Sequence, residues 1–271
     1  MKQSKSIRIL CECSIMVALS TVLSVLKLFE MPYGGSITLA SMLPVCVVAY
    51  RHGYKYGIGT ALVTAVIQML LGLKNFSYFT TPISIIALAL FDYILAFIVF
   101  GLAGMFKKAV KNQSVALLSG AAVASVLRYV CHVISGCTVW AGLSIPTEAA
   151  LLYSLSYNAT YMVPETIIIA LTAGYLGSAL DFRFDIPRRI KSEKTDNLSS
   201  AALIGAGLVL LGALIADTIL VFSKLQDYSG EFMILGLSDV NWLAVGITTA
   251  AALLVAAALV VFAKYREKKS A

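Results

Sequence analysis

Asp92, His132 and Asn158 each sit inside a long apolar run, where an ionisable or amide side chain is expensive to hold unless it does something. Counted from the nearest run ends, near Pro82, Gly142 and Glu148, all three lie ~15 Å deep at ~1.5 Å per residue, so separate runs carry an acid, an imidazole and a carboxamide to one level. Tyr153 is ~8 Å down the same run as Asn158. His132, Gly136 and Trp140 recur every four residues, which places them on one helix face with a side-chain-free notch between two rings. A carboxylate among Tyr93, Tyr153, His132 and Trp140 suits an organic cation: Asp92 supplies the counter-charge, the rings supply π-faces, and Tyr153 and Asn158 supply hydrogen bonds to a heteroaromatic ligand. Plainer roles are open to each residue alone. Asp92 can pair with Arg128, His132 can bond a neighbouring helix, and Trp140 can anchor at a membrane interface. Arg128 and Glu165 fall deeper and are expected to form a structural ion pair.

The elements that must position these residues follow from composition. Of 271 residues, 59% are hydrophobic and 13% charged, which excludes an ordinary water-soluble domain and leaves a polytopic membrane protein. Eight stretches reach or approach the roughly 20 residues of a membrane helix: 8–29, 37–51, 53–73, 82–106, 114–142, 148–180, 199–223 and 240–263. The second and third are separated by Arg51, His52 and Gly53 alone and must form a tight hairpin, and Pro44 is expected to kink the second. With the N-terminus placed in the cytoplasm, seventeen of the 21 Lys and Arg residues fall on inner segments. Lys74 and Lys224 fall outside, Lys27 and Arg128 within spans, and this asymmetry sets both termini in the cytoplasm. The charged, Pro-interrupted stretch 181–198 divides the chain. The expected architecture is an all-α, polytopic membrane helical bundle with a six-span core (1–180), a basic cytoplasmic linker (181–198) and two additional C-terminal transmembrane helices (199–271).

The net charge of +7 is spread between apolar runs, so nucleic acid is a poor partner. No phosphate-cradling Gly-x-x-x-x-Gly-Lys-Ser/Thr loop, His-Glu-x-x-His or Gly-x-Ser-x-Gly motif occurs, and the chain holds two histidines. No catalytic residue, metal site or cofactor is therefore expected, and any ATP-driven step needs another polypeptide. Three functional classes remain: a membrane ligand-binding subunit; a self-sufficient proton-coupled carrier using Asp92 or His132; and, least favoured, an embedded enzyme using that pair as acid and base.

Four segments resemble one known family: MPYGGSITLASMLP (31–44) with Arg51, His52 and Gly53; FDYILAFIVFGLAG (91–104); RYVCHVISGCTVW (128–140); and YSLSYNAT (153–160). Together, over about residues 8–180, they resemble the thiamine-specific substrate-binding (S) components of energy-coupling factor (ECF) transporters. The resemblance implies vitamin uptake at a bacterial cell membrane, with thiamine bound from outside and passed inward by an ECF transmembrane coupling subunit and two cytosolic ATPases. It implies a pocket lined by Asp92, Tyr93, His132, Trp140, Tyr153 and Asn158, with residues 30–37 as an outer gate and Tyr33, Phe76 and Tyr78 as further candidates. It also implies a first helix that offers small residues, Ser14-x-x-x-Ala18 and Ser20-x-x-x-Ser24, to the coupling subunit. The alternative for the same ligand is a proton-coupled secondary thiamine transporter. The two spans after residue 198 depart from the family's six-helix pattern.

Overall fold

The computed structural model describes residues 2–31, 33–143, 145, 147–190, 197–224 and 234–270. Among these, seven helices are long and apolar enough to cross a membrane. The chain forms two compact units, Met1–Arg189 and Ile190–Ala271. Pro32 of the expected gate, and Lys191 and Lys194 of the expected linker, lie outside the described residues.

In the first unit α1 (Lys2–Val25) leads into an antiparallel hairpin, β1 (Lys27–Glu30) and β2 (Ser36–Thr38). The expected first span therefore stops at Val25, where the chain becomes extended. The expected second span, 37–51, is not one long helix: β2 occupies its start, and α2 (Leu43–His52) has ten residues, ~15 Å of helix against an apolar layer of roughly 30 Å. Pro44 stands in the first turn of α2, where its missing N–H has no helical partner to lose, so it starts this helix instead of kinking it. Pro44–Arg51 are all buried, so α2 is apolar because other helices enclose it, not because lipid does. Gly53, at φ 83°, turns the chain directly into α3 (Tyr54–Leu71).

α4 (Pro82–Lys107) begins at Thr81, whose hydroxyl accepts from Ser84 N, and it changes winding along its length. It is α-helical to Leu88, π-helical over Ala89–Leu95, briefly α-helical again, and 3₁₀-helical over Val99–Leu102. A π-turn inserts an extra residue per turn, re-aims its side chains and is frequent at functional sites; this one contains Asp92 and Tyr93. α5 (Gln113–Thr138) and α6 (Ala150–Ala179) pack side by side. The Gln113 amide donates to Gly177 O and Leu180 O and accepts from Phe182 N, stitching the start of α5 to the end of α6. Two two-residue strands, β3 (Leu180–Asp181) and β4 (Arg188–Arg189), close this end. Outward faces carry side chains such as Ile83, Ile86 and Leu71, while the interior holds Met42, Leu88, Phe100 and Leu117. Lipid is as apolar as these residues, so close packing and internal polar bonds must hold the bundle together.

A polar network lies at the end opposite the hairpin. Arg51, buried, donates from Nε and Nη2 to the two oxygens of Glu12 at 2.5 and 3.0 Å, and from its guanidinium to the carbonyls of Phe182, Phe184 and Asp185 at 3.4, 3.3 and 2.9 Å. His52 meets the same carboxylate at 2.9 Å. One guanidinium thus ties α1, α2 and the loop after α6.

The second unit pairs α7 (Asn197–Phe222) with α8 (Trp242–Ser270) through buried alanines, Ala202 and Ala206 against Ala252, Ala256 and Ala263. Asp217 accepts hydrogen bonds from Thr248 and Thr249, so this intramembrane acid is satisfied within its own hairpin.

Arg51→Ala strands three carbonyls and leaves the Glu12 carboxylate to His52 alone, and thermal unfolding in detergent should show a loss of about 3–5 kcal/mol. Arg8→Ala removes an exposed pair with Asp185 and should cost about 0–1 kcal/mol in the same assay.

Candidate functional site

A cavity of about 540 Å³ occupies the first unit between the hairpin and the helices. Its wall draws on the end of α1, the β1–β2 hairpin, α3, the π-turn of α4, α5 and α6. The hairpin can lie over it because the turn is Gly34-Gly35, both at φ near +90°. A Cβ on Gly35 would stand 2.6 Å from the Tyr161 ring, so the backbone rests directly on an aromatic face. Tyr157 donates from its hydroxyl to Gly34 O at 3.0 Å and fastens the turn to α6.

Asp92 is the centre of the wall. One carboxylate oxygen accepts from His132 Nδ1 at 2.9 Å; the other accepts from Ser135 Oγ and from Trp140 Nε1, both at 2.8 Å. Arg128 Nε donates to His132 Nε2 at 3.2 Å, which requires the imidazole to carry its proton on Nδ1, toward Asp92. All three donors to Asp92 are then neutral, and among the described residues no Lys or Arg pairs with it. Arg128 does not pair with Asp92. Its guanidinium lies over the Phe97 ring, 4.6 Å from the centroid, and faces Glu165 at 3.7 Å. The expected Arg128–Glu165 pair therefore exists, but it stands on the cavity wall and not below it.

Asp92, Tyr93, His132, Trp140 and Asn158 all line the cavity. Asn158 Nδ2 reaches His132 O at 3.3 Å, so the acid, imidazole and carboxamide do share one neighbourhood. Its amide is already engaged, however, donating to Ser154 O and accepting from Tyr161 Oη at 2.6 Å. Tyr93 Oη donates to Gly72 O and accepts from Asn75, holding the turn Leu73–Tyr78 in place. Tyr153 is buried but does not line the cavity. Five residues along a helix is a rotation of about 140°, so Tyr153 and Asn158 face different sides of α6.

Two expectations about α5 change. The helix ends at Thr138, so Trp140 lies beyond it and reaches Asp92 from the following loop. The notch at Gly136 lies on the cavity wall and also admits α6: a Cβ there would collide with Ser154 Oγ, so the glycine serves helix contact as well.

Of the outer aromatics, Tyr33 lines the cavity, while Phe76 stacks on Tyr93 at 5.6 Å and Tyr78 packs against Tyr33 and Trp140 from behind. The sequence reading passed over Gln68, Thr38, Tyr157 and Tyr161 as wall residues. Tyr157, Tyr161 and Glu165 follow one another at four-residue spacing on α6, a same-face pattern visible in the sequence. Thr38 and Gln68 carry no such signal. Among the described residues no cluster of three or more His, Cys, Asp or Glu could hold a metal ion.

A multi-pass helical bundle enclosing a chamber with a cation-free carboxylate and several aromatic rings defines a membrane protein built to bind a small ligand. Residues 10–182 match the thiamine transporter protein family, and the chain belongs to that family. It is 34% identical over 205 residues to the thiamine transporter ThiT of Bacillus subtilis, covering 72% of this chain and all of that protein. The solved structure of ThiT from Listeria monocytogenes superposes with a TM-score of 0.53 at 25% identity, covering 64% of this chain and 94% of that one.

Gly136→Ala must push α5 away from Ser154, and thermal unfolding should register about 1–3 kcal/mol of destabilisation.

Proposed function

We propose that this protein takes up thiamine as the substrate-binding membrane subunit of an ECF transporter, receiving the vitamin from outside and delivering it inward with an ATP-driven module. One observation carries the reading: Asp92, on the wall of an aromatic chamber, is hydrogen-bonded by neutral groups alone and so presents an unneutralised charge. In a low-dielectric site such a charge strongly favours a cation, and a flat one gains further from ring faces. Thiamine is a cation of two flat heterocycles. Trp140 and the Tyr93, Tyr157 and Tyr161 rings frame the volume, and Asp92 and His132 supply the electrostatics. The β1–β2 hairpin is the outer cover, and it spans 27–38, wider than the loop 30–37 alone.

Both termini lie in the cytoplasm in this reading. Basic residues from three segments assigned to the inner side meet a fourth at one end of the first unit: Arg8 pairs with Asp185, Arg51 clamps the 182–185 backbone, and Lys107 donates to Arg51 O. The exposed charged residues of the cavity wall are Lys27 and Glu30 of the hairpin and Lys74 of the α3–α4 connection. A mouth facing away from the basic end is what capture from outside requires.

Coupling to ATP hydrolysis rests on the family and on the lack of a phosphate-binding loop in this chain. Proteoliposomes holding this chain alone should not accumulate thiamine under a pH gradient, and added coupling subunit and ATPases should restore ATP-dependent uptake. Uptake by the chain alone would establish the proton-coupled carrier instead. Thiamine should quench Trp fluorescence of the purified protein. Asp92→Asn should weaken binding by roughly 10–150-fold and Arg128→Lys by less than about tenfold. Equal losses would move the cationic subsite away from Asp92.

A further inference from the structure

A second pocket, of about 220 Å³, lies at the basic end of the first unit and shares no wall residue with the chamber. Its wall carries five bases, Lys5, Arg8, Arg51, Lys107 and Arg183, against two carboxylates, Glu12 and Asp185. Glu12 pairs with Arg51 and Asp185 with Arg8, while Arg183 turns to Asp181. Lys107 donates to the Arg51 carbonyl at 3.1 Å and stands over the Tyr50 ring, 5.3 Å from its centroid. Among the described residues neither Lys107 nor Lys5 meets a carboxylate. Two ammonium groups on one wall therefore keep their charge and free N–H donors. Arg51 has none to offer. All five of its N–H groups are committed to Glu12 and to the carbonyls of Phe182, Phe184 and Asp185, so it fixes the wall without reaching a ligand.

Level and surroundings say which kind of anion fits. Lys5 begins one apolar span and Lys107 ends another, so both stand where hydrocarbon gives way to water. The adjoining segment mixes bases with exposed apolar side chains: Phe184 lines the pocket at 43% exposure, Ile186 is 75% exposed, and Arg188 lies over the Phe184 ring. A soluble anion gains nothing from Phe184 and Ile186. A lipid does, because its phosphate enters the pocket while its chains cover apolar side chains outside. The volume falls below the roughly 300–1,000 Å³ of pockets that enclose whole small ligands, which suits a headgroup alone.

We infer that this pocket binds the phosphate group of an anionic phospholipid, with Lys5 and Lys107 contacting the phosphate and Arg51 positioning the wall. In the orientation proposed above the lipid belongs to the cytoplasmic leaflet. The site is independent of what fills the chamber. Phosphatidylcholine carries the same phosphate beside a cation of its own, which these bases repel.

The test takes purified full-length protein, delipidated in neutral detergent, and titrates it with phosphatidylglycerol, with phosphatidylcholine of the same chains and with inorganic phosphate. Bound lipid is counted by native mass spectrometry, and thermal unfolding is the second readout. Phosphatidylglycerol should bind at least about tenfold more tightly than phosphatidylcholine and raise the unfolding temperature. Lys5→Gln with Lys107→Gln should weaken its binding roughly 30-fold, and Lys5→Arg with Lys107→Arg should hold it within about threefold. Lys108→Gln with Lys111→Gln removes the same charge from the same end but off the pocket wall, and should change binding by less than about threefold. Equal binding of the two lipids overturns the inference, as does an equal loss in the two glutamine pairs, which is the signature of diffuse attraction. Inorganic phosphate that raises the unfolding temperature as much as phosphatidylglycerol at the same concentration assigns the pocket to a soluble anion and overturns the lipid. Both lysines are exposed, so their loss leaves the core intact. Should the pair nonetheless fail to fold, Lys5→Gln alone should cost roughly fivefold, and an unchanged affinity there is equally fatal. Thiamine enters none of these readouts, so a failure of the thiamine reading is seen separately.

Discussion

A carboxylate inside a membrane bundle is tolerable only if something offsets the loss of water, and at Asp92 that offset is supplied by three neutral donors. They come from His132 and Ser135 on α5 and from Trp140 just beyond it. Holding them in one cluster requires the π-turn that re-aims Asp92, the end of α5 at Thr138, and the neutral form of His132 that Arg128 enforces. Neutral donors stabilise the charge without cancelling it.

The first unit has two differently built ends. At the basic end Arg51 satisfies Glu12 and three backbone carbonyls at once, a dense network that fixes α1 to α2 and to the loop after α6. At the cavity end the cover is a short hairpin whose glycine turn rests on Tyr161 and is tied by the Tyr157 hydroxyl.

Much of this was legible before any coordinates. Depth counting selected Asp92, His132 and Asn158, and these do meet, because helices crossing one apolar layer bring residues at equal depth to one level. Depth says nothing of azimuth, which is why Tyr153 was counted in and Tyr161 left out although both lie on α6. Hydropathy also misread residues 37–51. A segment enclosed by protein is as apolar as one facing lipid, and only length separates the cases; α2 is half the length.

The amino-acid sequence by itself determined the solvent this chain folds in, its long helices, the levels of its buried polar groups and its family, since these depend on composition, periodicity and motif along the chain. Tertiary structure alone decided that Asp92 is surrounded by neutral donors, that Arg128 turns toward Glu165, and that Ser154 of α6 packs against Gly136. Those outcomes depend on helix rotation, on a π-turn and on which of several nearby partners each polar atom reaches first. Such choices are settled by three-dimensional packing among residues distant in sequence, where a fraction of a turn reverses the answer.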